Sequence, residues 1–153
     1  MSRVLGIDYG SKRIGVSLSD PDGIIALSLK SIEATSVPRA IEAIKAVCRE
    51  ADPPIDKIVV GMPLTLKNQA GPAAQTTQVF ITALQAAFSV PVLPWDERLS
   101  TAQAEKVLLS ADVSRQKRRQ VRDQLAAQII LQSYLDAQLP PPAGPDEDDP
   151  LSD

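Results

Sequence analysis

The chain has 153 residues, enough for one folded domain, with a formal net charge of −3, 44% hydrophobic residues and 3% aromatic residues. The lack of histidine excludes imidazole catalysis, and the single cysteine, Cys48, excludes an internal disulfide. No apolar run approaches the roughly eighteen residues of a membrane span. Asp8 also falls where the apolar region of a signal peptide would lie. We therefore expect a cytoplasmic protein with no membrane contact.

The segment 140–153 differs in composition from the rest of the chain. It carries five acidic residues, no basic residue and several prolines, whereas the rest carries 16 basic against 14 acidic residues, a charge of about +2. Such a segment cannot bury enough apolar surface to fold. We predict one folded domain over residues 1–139 and a disordered acidic tail over 140–153, which solubilises the protein or competes with nucleic acid for its basic residues.

The first predicted strand carries Asp8 within an otherwise apolar run. Because burying an unpaired charge costs on the order of several kcal/mol, we expect a cation, hydrogen-bond donors or a solvent-filled cleft beside this carboxylate. A two-residue loop of Ser11 and Lys12 would lead into a second strand over Ile14–Ser19, and this register places Asp8 opposite Gly15. A glycine within a strand often marks close approach by another group, so a docking place and an ordinary hairpin both remain open.

The remaining segments alternate between strand and helix patterns, which is typical of an α/β protein. The predicted order is a third strand over 24–32, a helix capped by Ser36, a strand over 57–60, a helix that opens at Pro72, a strand over 90–95, a helix over 100–109 and a final helix over 121–139. Helical spacing places Val79, Phe80 and Leu84 on the core face of the second helix. Three antiparallel strands followed by two parallel ones predict a mixed five-stranded sheet with helices on both faces.

Three carboxylates occur where an element ends or where burial is expected. Asp8 lies in the first strand, Glu97 follows the fifth strand, and Asp123 lies near the start of the last helix. Each has an ordinary alternative, because Asp123 suits the helix dipole and Glu97 can pair with Arg98 or Lys106. Together, a carboxylate cluster without histidine or cysteine suits Mg²⁺ or Mn²⁺.

Four separated segments of the chain resemble the YqgF (RuvX) family. They read GIDYGSKRIGVSLSD, VVGMPLTLKNQAG, DERLSTAQA and DQLAAQIILQSYLD, in the order and spacing of that family. The resemblance implies a ribonuclease H-like fold, a metal-dependent nuclease activity, and a catalytic and metal-binding triad of Asp8, Glu97 and Asp123. The resemblance says little about Asp96. We expect Asp96 and Gly15 to lie next to the triad and to support it without binding the metal.

Members of this family are described as pre-16S ribosomal RNA nucleases and as Holliday-junction-resolvase-like proteins. The resemblance therefore implies phosphodiester hydrolysis in the maturation of a structured RNA precursor or, alternatively, in branched DNA. Two divalent cations about 3.5 to 4 Å apart would be bridged by such carboxylates. A monomer and a homodimer both remain open, since resolving a four-way junction takes two coordinated cuts. The candidate phosphate contacts are basic residues near the proposed site: Lys12, Arg13, Lys67, Arg98, Arg115, Arg118 and Arg119.

Two rival functions follow from the same residues. The first hairpin also resembles the phosphate loop of actin-type and sugar-kinase ATP-binding proteins, although that architecture needs two lobes and this chain has material for one. The second rival is a non-catalytic factor associated with RNA or the ribosome, because sequence alone does not show that the three carboxylates converge.

Overall fold

The computed structural model describes residues 2–10, 12–33, 36–63, 71–97 and 115–138, and in the last range it describes side chains from residue 125 onward. The elements within these ranges are the strands β1 (Arg3–Tyr9), β2 (Arg13–Ser19), β3 (Ala26–Glu33), β4 (Ile55–Met62) and β5 (Val92–Asp96) and the helices α1 (Val37–Glu50), α2 (Pro72–Ala87) and α3 (Arg115–Gln138). None of these helices has the length and apolar character needed to cross a membrane. The helix predicted over 100–109 and the predicted tail lie outside the described residues.

The five strands form one sheet in the order β3-β2-β1-β4-β5. The pairs β1–β2 and β2–β3 are antiparallel, whereas β1–β4 and β4–β5 are parallel. The predicted mixed α/β sheet is therefore confirmed. Because β1, β4 and β5 are parallel to one another, their carboxyl ends lie at the same edge of the sheet.

The register of the first hairpin agrees with its two-residue loop. Asp8 pairs with Gly15 across the strands, and the N–H of Gly10 donates to the carbonyl oxygen of Arg13 at 3.0 Å. The third strand begins later than predicted, at Ala26, because the Asp20 side chain accepts hydrogen bonds from the next turn. Its Oδ1 receives the backbone N–H groups of residues 24 and 25 at 2.8 and 2.9 Å, which holds these residues out of the ladder.

One face of the sheet is packed against α1 and α2 through aliphatic side chains. As predicted, α1 begins at a Ser36 cap, whose hydroxyl accepts from the N–H of Arg39 at 3.3 Å.

The prediction that Val79 lies on the core face of α2 is wrong, because its side chain is 64% exposed. The core face of α2 is filled by residues one helical turn apart, and Val79 lies on the other side. The buried members of this core are Leu5, Ile7, Ile14, Val16, Ala40, Ile44, Val47, Ile55, Ile58, Val60, Phe80, Ile81, Leu84 and Val92.

Helix α3 covers the opposite face. Ala127, Ile130 and Tyr134 form its buried stripe, since they are between 2% and 6% exposed. The helix begins at Arg115, earlier than the predicted start at residue 121, so the basic residues 115–120 belong to the helix. Arginine, lysine and glutamine lose little rotamer freedom in a helix, which allows this stretch to continue it.

Hydrogen bonds fix the position of α3 along the sheet. The buried hydroxyl of Ser17 donates to the carbonyl oxygen of Ala127 at 2.7 Å. At the edge strand, the side chain of Gln128 donates to the carbonyl oxygen of Ala26 at 3.0 Å, and Gln132 accepts from the N–H of Ala26 at 2.9 Å. Sliding the helix by one residue would break all three bonds, so they set which helix residues face the sheet.

Candidate active site

Two of the three proposed acidic residues lie at the edge where three parallel strands end. Asp8 is near the end of β1, and Glu97 directly follows β5. The N–H of Glu97 donates to the carbonyl oxygen of Met62 at 3.1 Å, which continues the β4–β5 ladder by one residue. Strand alternation places both acidic side chains on the face covered by α3. This is the edge at which open α/β sheets bind ligands.

The side chains of Asp8 and Glu97 meet, although their strands are separated by β4. Burial raises the pKa of Glu97 from its ordinary 4.5 to about 7, with further contributions from the charge of Asp8, a hydrogen bond with Asp8 and the charge of Asp96. A hydrogen bond between two carboxyl groups requires one of them to hold a proton. The pair is therefore a site where a proton or a cation offsets concentrated negative charge.

Gly15 lies between Asp8 and helix α3. A Cβ atom at this position would be 3.3 Å from the Cβ of Ala127 and 3.7 Å from the Cβ of Asp8. The predicted neighbour of Asp8 is thus beside it, and a larger side chain would meet the helix before it met the carboxylate. Gly15 therefore allows the close approach of α3 to β2 beside Asp8.

The third predicted ligand, Asp123, belongs to α3, and its side chain is outside the described part of the chain. It precedes Ala127 by four residues, and the backbone nitrogen of Ala127 lies 3.9 Å from a Cβ placed on Gly15. Residues four apart share one face of a helix, so position 123 falls on the side of α3 that faces the sheet. Among described side chains, no group of three His, Cys, Asp or Glu residues is arranged to hold a metal ion.

Asp96 contributes charge to the site from a different direction. It is the last residue of β5 and pairs with Met62 of β4. Alternation along β5 directs it to the face opposite Glu97, yet its negative charge helps to raise the pKa of Glu97. Asp96 therefore acts on Glu97 through its charge, from the other face of the sheet.

The predicted phosphate contacts are only partly described. Lys12 and Arg13 are exposed at the hairpin turn, beyond the end of β1 that carries Asp8. Arg115, Arg118 and Arg119 belong to α3 ahead of Asp123, but their side chains are outside the described part, as are Lys67 and Arg98 entirely. Two of the seven candidates are therefore placed at the same end of the sheet as the acidic pair.

Sequence reasoning missed Gly61. This buried residue of β4 lies beneath the Glu97 side chain, since a Cβ atom here would be 2.8 Å from Oε1 of Glu97. The available signal was a glycine within the apolar run KIVVGM, because strand glycines mark close approach.

Similarity to known proteins identifies the family of the chain. The family model described as "RuvX: Holliday junction resolvase" matches residues 2–137. The chain is 44% identical to the "Putative pre-16S rRNA nuclease" of Thermoanaerobacter pseudethanolicus, an alignment covering 89% of this chain and 97% of that protein. It is also 44% identical to the protein of the same name from Pelotomaculum thermopropionicum, with 95% and 99% covered.

Solved structures give the fold. Thermus thermophilus RuvC in complex with a Holliday junction substrate superposes with a TM-score of 0.58 at 16% identity, covering 90% of this chain and 95% of that one. The fowlpox virus Holliday junction resolvase superposes with a TM-score of 0.50 at 14% identity, covering 90% and 99%. The ribonuclease H-like fold expected from the sequence is thus confirmed. With the family model spanning nearly all of the chain, the protein belongs to the RuvX family.

Proposed function

We propose that this RuvX-family nuclease is a divalent-metal-dependent endonuclease that acts in the maturation of the 5′ end of pre-16S ribosomal RNA. The observation that carries the proposal is the contact between Asp8 and Glu97 at the carboxyl edge of the sheet. The names of its relatives supply the substrate. A ribosomal RNA precursor as substrate implies that the enzyme works in the cytoplasm.

The chemistry of the described donors supports Mg²⁺ or Mn²⁺ as the cofactor. The converging groups are carboxylates, the hard oxygen ligands that these cations prefer. The repulsion between them, which contributes to the raised pKa of Glu97, is what a divalent cation would offset. Asp8, Glu97 and Asp123 are the residues that would hold the metal, with Asp8 contributed by the central strand of the sheet.

When bound, such cations acidify coordinated water and offset the charge that develops on the phosphate during cleavage. The protein's own residues prepare the site. The pKa of the partly buried Glu97 carboxyl is raised to about 7 beside Asp8, so metal uptake near neutral pH would release a proton from it. The exposed side chains of Lys12 and Arg13 stand at the same edge, where phosphate groups of a substrate would pass.

The decisive test of the metal site is Asp8→Asn. We expect cleavage to fall by about two to three orders of magnitude or more, because the variant keeps the shape of the side chain and removes its charge. Folding and nucleic-acid binding should remain close to those of the parent protein. Cleavage of a pre-16S RNA fragment in Mg²⁺ measures the loss, and an active Asp8→Asn protein would refute the assignment.

The same assay separates the two candidate substrates. A four-way DNA junction is tested as a substrate alongside the RNA precursor, and the oligomeric state of the active species is measured by sedimentation. Preferred cleavage of the junction by a dimer would favour resolution of branched DNA, since two symmetric cuts need two sites. Metal-independent binding of RNA with no cleavage of either substrate would favour a non-catalytic RNA-associated factor.

Charge reversal at Arg118 and Arg119 tests the contribution of the N-terminal part of α3 to binding. If these side chains bind phosphates, affinity falls similarly for all sequences and the dependence of binding on salt becomes shallower, with the slope reduced by about one for each phosphate that is no longer bound. Filter binding between low and moderate salt measures this. An unchanged salt slope would remove α3 from the binding surface.

A further inference from the structure

We propose that Gly61 is a positioning residue that allows the Glu97 side chain to cross β4 and meet Asp8. The inference rests on the proposed function of this acidic pair as metal ligands. It concerns a residue that carries no functional group, and it follows from the distances around its α-carbon.

The need for a crossing follows from the order of the strands. Asp8 is carried by β1 and Glu97 follows β5, with β4 between them. Adjacent strands lie about 4.8 Å apart, so the two backbones are separated by roughly twice that distance. The side chains can touch only above the surface of β4. At this level β4 presents Gly61, which pairs with Trp95.

The space above Gly61 is occupied by Glu97. A Cβ atom at position 61 would lie 2.8 Å from Oε1 and 3.0 Å from Cγ of Glu97. The first of these distances is shorter than real Cβ atoms show, and the second is tight. Any other residue at position 61 would therefore displace the glutamate from its path to Asp8. A glycine within a strand usually weakens it, so a buried glycine here has a reason in what lies above it.

Helix packing is the competing explanation for this glycine. The same Cβ atom would be 2.5 Å from Cδ1 of Ile130 on α3. That conflict can be removed separately, because valine at position 130 lacks the Cδ1 atom. Gly6 offers a control, since a Cβ there would meet the hydroxyl of Ser17 and would lie 2.7 Å from the Cβ of Leu131, with no contact to Glu97 among its nearest atoms.

The experiment introduces Gly61→Ala into an Ile130→Val background. In the crystal structure of the metal-free double variant, we expect the Glu97 carboxylate to have turned away from Asp8. By calorimetry, Mn²⁺ affinity should fall by about tenfold or more relative to Ile130→Val alone. Cleavage should lose kcat with little change in KM, because the substrate surface is untouched. The Gly6→Ala control should lose thermal stability, and its metal-free crystal structure should keep the Glu97 carboxylate on Asp8.

A stability cycle gives a second measurement that needs neither metal nor activity. The drop in Tm caused by Gly61→Ala should be smaller when Glu97 is replaced by alanine than when Glu97 is present, because the added methyl group then no longer collides with the Glu97 side chain. Equal drops in both backgrounds, or a double variant with Glu97 still on Asp8 and Mn²⁺ affinity unchanged, would overturn the inference. Absence of metal binding in the parent protein would instead refute the proposed function, and the crystal structure and the stability cycle would still decide the role of Gly61.

Discussion

The two faces of the sheet differ in the size of the side chains that the strands present near the acidic pair. Towards α1 and α2 the strands present leucine, isoleucine and valine, which interlock with Ile44, Phe80 and Leu84 of the helices. Towards α3 the same strands present small or polar residues near the acidic pair, and the small residue Ala127 of the helix packs against them. The small residues on this face are Gly6, Gly15, Ser17 and Gly61.

This difference separates stability from positioning. Large aliphatic side chains exclude water and supply most of the free energy of folding through apolar burial. Small residues bring the backbone of α3 close to the strands, and Ser17 then holds Ala127 by a direct hydrogen bond of 2.7 Å. A helix held this closely can place a side chain beside Asp8 with little freedom. The α3 face is thus suited to hold groups from distant parts of the chain in one geometry.

The largest expected effect on stability is at Phe80, in the aliphatic face. Phe80 is fully buried, and its ring stacks on Tyr9 with 4.1 Å between centroids. Phe80→Ala should lower the free energy of unfolding by about 3–5 kcal/mol, since it leaves a cavity in a close-packed core. Urea unfolding measures this loss, while Mn²⁺ affinity of the folded protein should be unchanged.

Val79 on the same helix is the control for that substitution. Because its side chain is 64% exposed, Val79→Ala should change stability by less than about 0.5 kcal/mol. If Phe80→Ala weakened metal binding as strongly as it weakened folding, the core between the sheet and α1 and α2 would also position the metal site, and the proposed division between the two faces would be wrong.

A smaller effect, of a different kind, is expected at Gly15. Valine here would push its methyl groups into Ala127, because even a single Cβ atom at position 15 would lie 3.3 Å from the Cβ of Ala127. Overpacking of this sort costs about 1–3 kcal/mol. Because the displaced helix carries Asp123, Gly15→Val should also weaken Mn²⁺ binding and cleavage. Gly15→Ala is the milder control. Full activity in the valine variant would show that the spacing of α3 does not matter to the site.

The smallest effect has the opposite sign. The pKa of Glu97 is raised to about 7 in the folded protein, above its ordinary 4.5, so the folded state binds more protons than the unfolded state between these values. The contribution of Glu97 to stability therefore decreases as the pH rises through this window. In metal-free protein at pH 8, Glu97→Gln should stabilise by on the order of 1 kcal/mol, allowing for the partial exposure of the group.

The same variant at pH 4 provides the internal control, since Glu97 is then protonated in both states and the substitution should be nearly neutral. Thermal unfolding in the presence of a chelator at the two pH values measures the difference. Equal shifts in Tm at pH 4 and pH 8 would mean that charge repulsion at Glu97 does not oppose folding.

Much of the fold could be predicted because the controlling interactions are local. The two-residue loop determined the pairing of Asp8 with Gly15, and the Ser36 cap marked the start of α1. The errors arose where local patterns were ambiguous. Val79 is apolar yet lies off the core face, and a run of arginine and lysine is compatible with both a loop and a helix.

By itself, the sequence determined which strand residues share a face, since alternation along a strand needs only the backbone, and it singled out Asp8 and Glu97 as unusual carboxylates. Only the tertiary structure decided that these two meet. Their contact depends on the order of β1, β4 and β5 and on the room that Gly61 leaves above its α-carbon, and neither is encoded within any one segment. Contacts between distant segments follow from the packing of whole elements. The need for a glycine at position 61 therefore comes from the Glu97 side chain that lies above it, and not from its own segment.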